Sequence, residues 1–120
     1  MEINEVTYRI RGCAFEIYNQ FGPGLREIIY QRALVHQLRQ RGLLCEIEKE
    51  VDVTLNGQVV TKQKLDLLVD QLVIVEVKSK STLLPLDEAQ IISYLKVSGA
   101  KVGLLINFGS HPIQIKRFIN

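Results

Sequence analysis

The 120-residue sequence predicts an α/β fold, a three-layer-like sandwich in which helices cover a central mixed β-sheet, with the element order ααβββαββ. Three observations predict it. Two N-terminal segments repeat apolar residues every three or four positions, which is the helical period. Later segments alternate apolar with polar residues or are continuously apolar, as half-buried and buried strands do. A helical segment separates the third strand from the fourth, so we expect those two strands to be parallel.

Composition is typical of one globular domain over residues 1–120. The chain is 47% hydrophobic and 23% charged, which excludes a disordered polymer, and its net charge of +2 does not by itself indicate nucleic acid. Cys13, Cys45, His36 and His111 lack the spacing of a zinc site. With no signal-peptide pattern and no membrane-length apolar run, we expect reduced cysteines and a cytoplasmic location.

The first two elements are amphipathic helices. The first is predicted over residues 3–19 and ends at Gly22-Pro23-Gly24. The second is predicted over residues 25–41, with Gly42 as its C-terminal cap. Its apolar face comprises Leu25, Ile28, Ile29, Ala33, Leu34 and Leu38.

Glu27 stands in the first turn of the second helix, at the edge of its buried face. Two interpretations are open. A glutamate at the third helical position can reach back to cap the helix and complements the helix dipole. It can equally serve as a third carboxylate at a functional site.

The strands follow in sequence. A half-buried strand over residues 44–55 has Cys45, Ile47, Lys49, Val51, Val53 and Leu55 on one side. Asn56-Gly57 predicts a type I′ hairpin leading to a strand over residues 59–69. A third strand over residues 72–79 is expected to be central. A helix over residues 85–98, a buried strand over 101–108 and an edge strand over 113–119 complete the chain.

Charged residues lie inside two of these apolar strands. Glu76 and Lys78 project to the same side of the third strand, because alternate strand residues share a face. If Asp66 on the preceding strand lies beside Glu76, two carboxylates and an ammonium converge, and a divalent cation is the usual way to hold such carboxylates together. The alternative is an ordinary Glu76–Lys78 ion pair, with Asp66 belonging to the turn.

The loop between these strands decides which alternative is geometrically open. A two-residue turn at Asp70-Gln71 pairs Asp66 with Val75 and puts Glu76 on the wrong face. A three-residue loop or a bulge pairs Asp66 with Glu76. We therefore predict an odd-numbered loop or a bulge at residues 70–72.

Gln90 lies on one side of the third helix, together with Tyr94 and Val97. It is solvated if the sheet lies on the other side of the helix. If its face looks towards the carboxylates, Gln90 can donate a hydrogen bond to a phosphate or to a metal-bound water.

Two motifs place the chain near a known family. Gly24-Leu25-Arg26-Glu27-Ile28-Ile29-Tyr30 matches the pattern GxxExxY, and Asp66 followed by Glu76-Val77-Lys78 is similar to the D…(D/E)xK signature. On these residues the sequence resembles the GxxExxY protein family and the PD-(D/E)XK nuclease superfamily, which implies a restriction-endonuclease-like core. The resemblance runs from the first helix to Phe108. Leu65 stands where the superfamily name has proline.

The resemblance implies a metal-dependent nuclease, acting on DNA. It implies Mg²⁺ or Mn²⁺ bound by Asp66, Glu76 and the Val77 carbonyl, with Lys78 orienting or deprotonating the attacking water.

It also implies that Glu27 reaches the same metal and that Gln90 lies beside it. The alternative function is a non-catalytic module that keeps the nuclease fold and binds a protein or nucleic-acid partner. Because the domain is small, we expect a homodimer.

Overall fold

The computed structural model describes residues 1–120, and the elements follow the predicted order. The five strands form one sheet in the order β1-β2-β3-β4-β5, antiparallel except for the parallel pair β3–β4. The predicted fold class is therefore confirmed. The elements are α1 (Ile3–Phe21), α2 (Glu27–Gln40), β1 (Cys45–Leu55), β2 (Gln58–Val69), β3 (Val73–Lys78), α3 (Pro85–Ser98), β4 (Val102–Asn107) and β5 (Gln114–Ile119).

Helices cover both faces of the sheet. Residues of α1 and α2 pack with one face of the central strands in a core that includes Val75 and Val77. On the opposite face Leu95 of α3 packs with Leu65 and Ile74. Glu76 and Lys78 alternate with the valines, so they share the α3 face with Ile74. None of the helices combines the length and apolar character needed to cross a membrane.

The loop between β2 and β3 has three residues. Val69 pairs with Val73, which leaves Asp70, Gln71 and Leu72 as the loop. Asp70 and Gln71 both have positive φ, at 51° and 57°. The prediction of an odd-numbered loop is confirmed, and its register brings Asp66 level with Glu76.

The β1–β2 hairpin bends in the middle. Ile47 pairs with Leu67 and Lys49 pairs with Leu65, but Glu48 between them has φ 51° and is not paired with Asp66. Beyond the bend, Val51 packs with the α3-side core, whereas Ile47 packs with the α1–α2 core. The predicted placement of alternate β1 residues on one side is therefore wrong, because a left-handed residue interrupts the alternation.

Both cysteines are buried free thiols. Burial raises the pKa of Cys45 to about 11, with the nearby Arg39 acting in the opposite direction. Burial also raises the pKa of Cys13. Neither thiol is therefore activated as a nucleophile.

Candidate functional site

Asp66 and Glu76 lie side by side where β2 and β3 separate. The backbone pairing of the two strands reaches Leu67 and Val75. One residue further, the Asp66 N–H donates to Glu76 Oε1 at 3.2 Å, and the Val77 N–H donates to Asp66 Oδ2 at 3.0 Å. Carboxylate oxygens thus occupy the positions that carbonyl groups hold in a regular sheet, and both acids are fixed at the gap between the strands.

Glu76 is only 6% exposed. Burial is the main reason that its pKa rises to about 8, and the negative charge of Asp66 adds to the effect, while the Lys78 ammonium opposes it. Each pKa unit corresponds to about 1.4 kcal/mol, so ionising Glu76 at this position is costly without a further positive charge.

Lys78 is held on the α3 side of the sheet. Its Nζ donates to Gln90 Oε1 at 3.2 Å and lies 3.9 Å from Asp87 Oδ1. The Gln90 side chain therefore faces the sheet, and the interpretation of it as a solvated residue is wrong.

Asp87 anchors the start of α3. Burial alone would raise its pKa, but the hydrogen bond from the Leu84 N–H and the Lys80 ammonium at 2.9 Å lower it. Asp87 is therefore a stable negative charge near Lys78, in contrast to Glu76.

Tyr94 also belongs to this group. Burial raises the pKa of its phenol, and the charges of Glu76 and Asp66 raise it further, so the phenol lies within their electrostatic reach. The sequence indicated that Tyr94 lies on the same side of α3 as Gln90, because it follows Gln90 by one helical turn.

A cleft of about 640 Å³ opens on the α2 side of Asp66. Its lining includes Glu27, Glu48, Asp66 and Val77. The Val77 N–H points towards β2, and a strand residue directs its N–H and C=O to the same neighbour, so the Val77 carbonyl also faces Asp66. The Lys78 carbonyl instead accepts the Phe108 N–H at 2.9 Å.

The loop before α2 is fixed by a buried tyrosine. The Tyr30 ring stacks on Phe108 at 4.5 Å, and its hydroxyl donates to the Gly22 carbonyl at 2.5 Å and accepts the Leu25 N–H at 3.1 Å. Gly24 has φ 113°, a conformation that side chains disfavour. The Ser79 hydroxyl, at the end of β3, donates to the Leu25 carbonyl at 2.6 Å. These contacts set the start of α2 against the cleft.

Glu27 is the first residue of α2, exposed and without a hydrogen bond. The capping interpretation is wrong, because it needs Glu27 at the third helical position and α2 begins two residues later than predicted. Glu27 lines the same cleft as Asp66. No group of three acidic, histidine or cysteine side chains lies close enough to hold a metal, so Glu27 does not form a ready three-ligand site with Asp66 and Glu76.

Glu48 also lines the cleft, at the bend of β1. Sequence reasoning missed it, because simple alternation places it among the solvent-facing acids of the strand. No residue pattern in the sequence indicates its left-handed backbone.

The donors at the gap suit a divalent cation. Two carboxylates and a backbone carbonyl are hard oxygen ligands, and Mg²⁺ is usually held by one or two carboxylates, with water and phosphate oxygens completing its shell. Burial and the charge of Asp66 raise the pKa of Glu76, and a cation bound here would favour its ionised form.

Comparisons with known proteins bear on the fold and on the family. The crystal structure of SSO0001 matches with a TM-score of 0.58 at 22% identity, over 77% of this chain and 48% of that one. The likeness shows a shared fold, and the chain spans about half the length of that protein. No curated protein matches the chain. A family model described as the PD-(D/E)XK nuclease superfamily matches residues 4–118. Because that match covers almost the whole sequence, the chain belongs to the PD-(D/E)XK nuclease superfamily.

Proposed function

We propose that the protein is a metal-dependent nuclease that hydrolyses phosphodiester bonds in DNA. The observation that carries the proposal is the pair Asp66–Glu76 at the gap between two strands, where Glu76 accepts the Asp66 N–H and Asp66 accepts the Val77 N–H. A buried carboxyl group beside a second carboxylate costs stability, so its presence is best explained by a bound cation. Membership of a nuclease superfamily supports nucleic acid as the substrate.

Asp66, Glu76 and the Val77 carbonyl would hold Mg²⁺ or Mn²⁺. When bound, the cation neutralises charge on the phosphoryl oxygens and makes water more acidic. Lys78 would orient the attacking water or accept its proton, and Gln90, which accepts a hydrogen bond from the Lys78 ammonium, would help to position it. Glu27, which lines the cleft together with Asp66, would reach the same substrate from the start of α2.

A second candidate is a non-catalytic nuclease-fold module that binds nucleic acid or a protein partner. One observation favours it: Glu27, Asp66 and Glu76 do not form a three-ligand group. A binding module, however, gives no reason to place the buried Glu76 beside a second carboxyl group, since their charge repels phosphate unless a cation is present.

The decisive experiment combines calorimetric titration of Mg²⁺ and Mn²⁺ with cleavage assays. The substrates are labelled single-stranded, double-stranded and branched DNA, each tested with metal and with chelator. Asp66→Asn and Glu76→Gln should keep the fold, bind metal more weakly and lose cleavage. Lys78→Ala should still bind metal, while its turnover falls about 100-fold. Glu27→Gln in the same titration tests whether Glu27 contributes a ligand.

Asp52→Asn is the matched control, because Asp52 is an exposed acid of β1 that pairs with Lys62 at the surface. It should bind metal and cleave like the wild type. If the wild type binds no cation and cleaves nothing, and Asp66→Asn and Glu76→Gln unfold the chain, the acids are structural and the binding module is correct.

A further inference from the structure

We infer that the groove between α2 and β1 binds the sugar–phosphate backbone of the nucleic-acid strand that enters the candidate site. The inference rests on the proposed function, because it names the surface that delivers that substrate. We call this surface the α2–β1 groove, and it is lined by Arg32, Val35, His36, Arg39, Gln40 and Ile47.

The shape of the α2–β1 groove suits an extended chain. Its volume is about 500 Å³, and Val35 and Ile47 are the apolar part of its lining. Arg32, His36 and Arg39 follow one another at intervals of four and three residues, so they lie along one side of α2. At 1.5 Å per residue the two arginines are about 10 Å apart along the helix axis.

The charge of the α2–β1 groove is uniformly basic. No acidic residue lines it, and neither Arg32 nor Arg39 forms a salt bridge. By contrast, Arg9 and Arg41 on other surfaces are neutralised by Glu5 and Glu16. Two arginines without carboxylate partners on one helix face leave positive charge for an external anion.

Both guanidinium groups are oriented by neutral acceptors. Arg39 Nη2 donates to the Cys45 carbonyl at 2.8 Å, and Arg32 Nε donates to Gln31 Oε1 at 3.2 Å. Each keeps its full charge and most of its five N–H donors, a geometry that matches phosphate oxygens.

The α2–β1 groove and the cleft beside Asp66 are lined by neighbouring residues of α2 and of β1. Gln31 and Glu48 line the cleft, while their chain neighbours Arg32 and Ile47 line the groove. The groove is therefore basic, whereas the cleft has three acids, Glu27, Glu48 and Asp66, against the single base Arg26. A phosphate chain would bind the basic part without any cation and would need one only at the carboxylates, where like charges repel. This gradient favours a phosphodiester strand running along α2 towards the site.

The test is fluorescence anisotropy with a labelled single-stranded DNA in chelator, at several salt concentrations, so that no cleavage occurs. For a single strand, each lost phosphate contact makes the slope of log K against log salt less negative by about 0.7. We expect that change for Arg32→Gln and for Arg39→Gln, and about twice that for the double variant. Arg32→Gln alters an exposed side chain, so it tests the groove even if Arg39→Gln disturbs the fold.

Lys101→Gln is the control for net charge. Lys101 is exposed and precedes β4, at the end of the sheet opposite to Lys78. It should leave the slope unchanged. Three outcomes would each overturn the inference. They are an equal change of slope in Lys101→Gln, an unchanged slope in the double variant, and no DNA binding by the wild type. Equally tight binding of a poly-glutamate peptide would also overturn the inference, because the groove would then bind carboxylates as well as phosphates.

The outcomes separate this inference from the nuclease proposal. If the wild type binds DNA through Arg32 and Arg39 but never cleaves it, the inference about the groove is correct and the nuclease proposal is wrong. If the wild type cleaves DNA and the double variant keeps the wild-type KM, the nuclease proposal stands and the groove fails. If both are correct, the double variant raises KM and leaves kcat nearly unchanged.

Discussion

Glu76 is a carboxyl group kept out of water beside a second carboxyl group. Burial, followed by the charge of Asp66, raises its folded-state pKa from 4.5 to about 8. Between these two pH values Glu76 holds a proton in the folded chain that it has released in the unfolded chain. The contribution of Glu76 to the unfolding free energy should therefore be highest below pH 4.5 and fall as the pH rises to about 8, by at most about 1.4 kcal/mol per pH unit.

Denaturant titrations across that pH range, in chelator, measure this dependence. Glu76→Gln carries a neutral side chain of the same shape, so its stability should change less with pH than that of the wild type. Added Mg²⁺ should stabilise the wild type more at the upper end of the range, where the carboxylate is ionised. Equal pH slopes for the wild type and Glu76→Gln would contradict the assignment.

At the scale of elements, the start of α2 is set by tertiary contacts. Tyr30 and Ser79 hold the preceding loop through the Gly22 and Leu25 backbone, which delays the helix until Glu27. The apolar period of α2 was readable from the sequence, but these contacts between distant residues were not. The spacing of glycine, glutamate and tyrosine in this stretch thus has a structural cause as well as a proposed functional one.

The bend of the β1–β2 hairpin depends on a strained residue. A left-handed backbone costs an ordinary residue about 1–2 kcal/mol, is easier for asparagine and is worst for β-branched side chains. Glu48→Asn should therefore leave the unfolding free energy nearly unchanged, while Glu48→Val should lower it by about 1–2 kcal/mol. Thermal and denaturant unfolding of both variants measures the difference.

Glu50→Val is the control for that comparison. Glu50 is an exposed residue of the same strand that pairs regularly with Lys64 and lacks a positive φ. Valine is favourable in regular strands, so this variant should not be destabilised in the same way. Equal losses for Glu48→Val and Glu50→Val would show that backbone strain at Glu48 is unimportant.

For the whole molecule, the sequence predicted the element order, the central position of β3 and the register of Asp66 against Glu76. The element order and the position of β3 depend on local patterns along the chain. The register was instead predicted from the requirement that Asp66 and Glu76 share a face, because a two-residue turn at Asp70-Gln71 gives the other register. The bend at Glu48 and the cleft between α2 and Asp66 could not be predicted from the sequence, because they depend on backbone geometry and on packing between distant elements.

The homodimer remains a proposal at this scale. One chain offers one candidate site, and the two strands of a DNA duplex are related by a two-fold axis, so two copies would match a duplex substrate. Sedimentation velocity should show a dimer, either alone or on duplex DNA. A monomer under both conditions would contradict the proposal.

The irregular backbone of β1 also bears on self-association. A straight edge strand of 11 residues would offer a long row of free N–H and C=O groups, a template for open-ended stacking of chains into aggregates. The left-handed turn at Glu48 and the register shift between Val53 and Thr54 divide that row into short pieces. The bend at Glu48, which lines the cleft beside Asp66, therefore also protects the β1 edge of the sheet against fibre-like pairing.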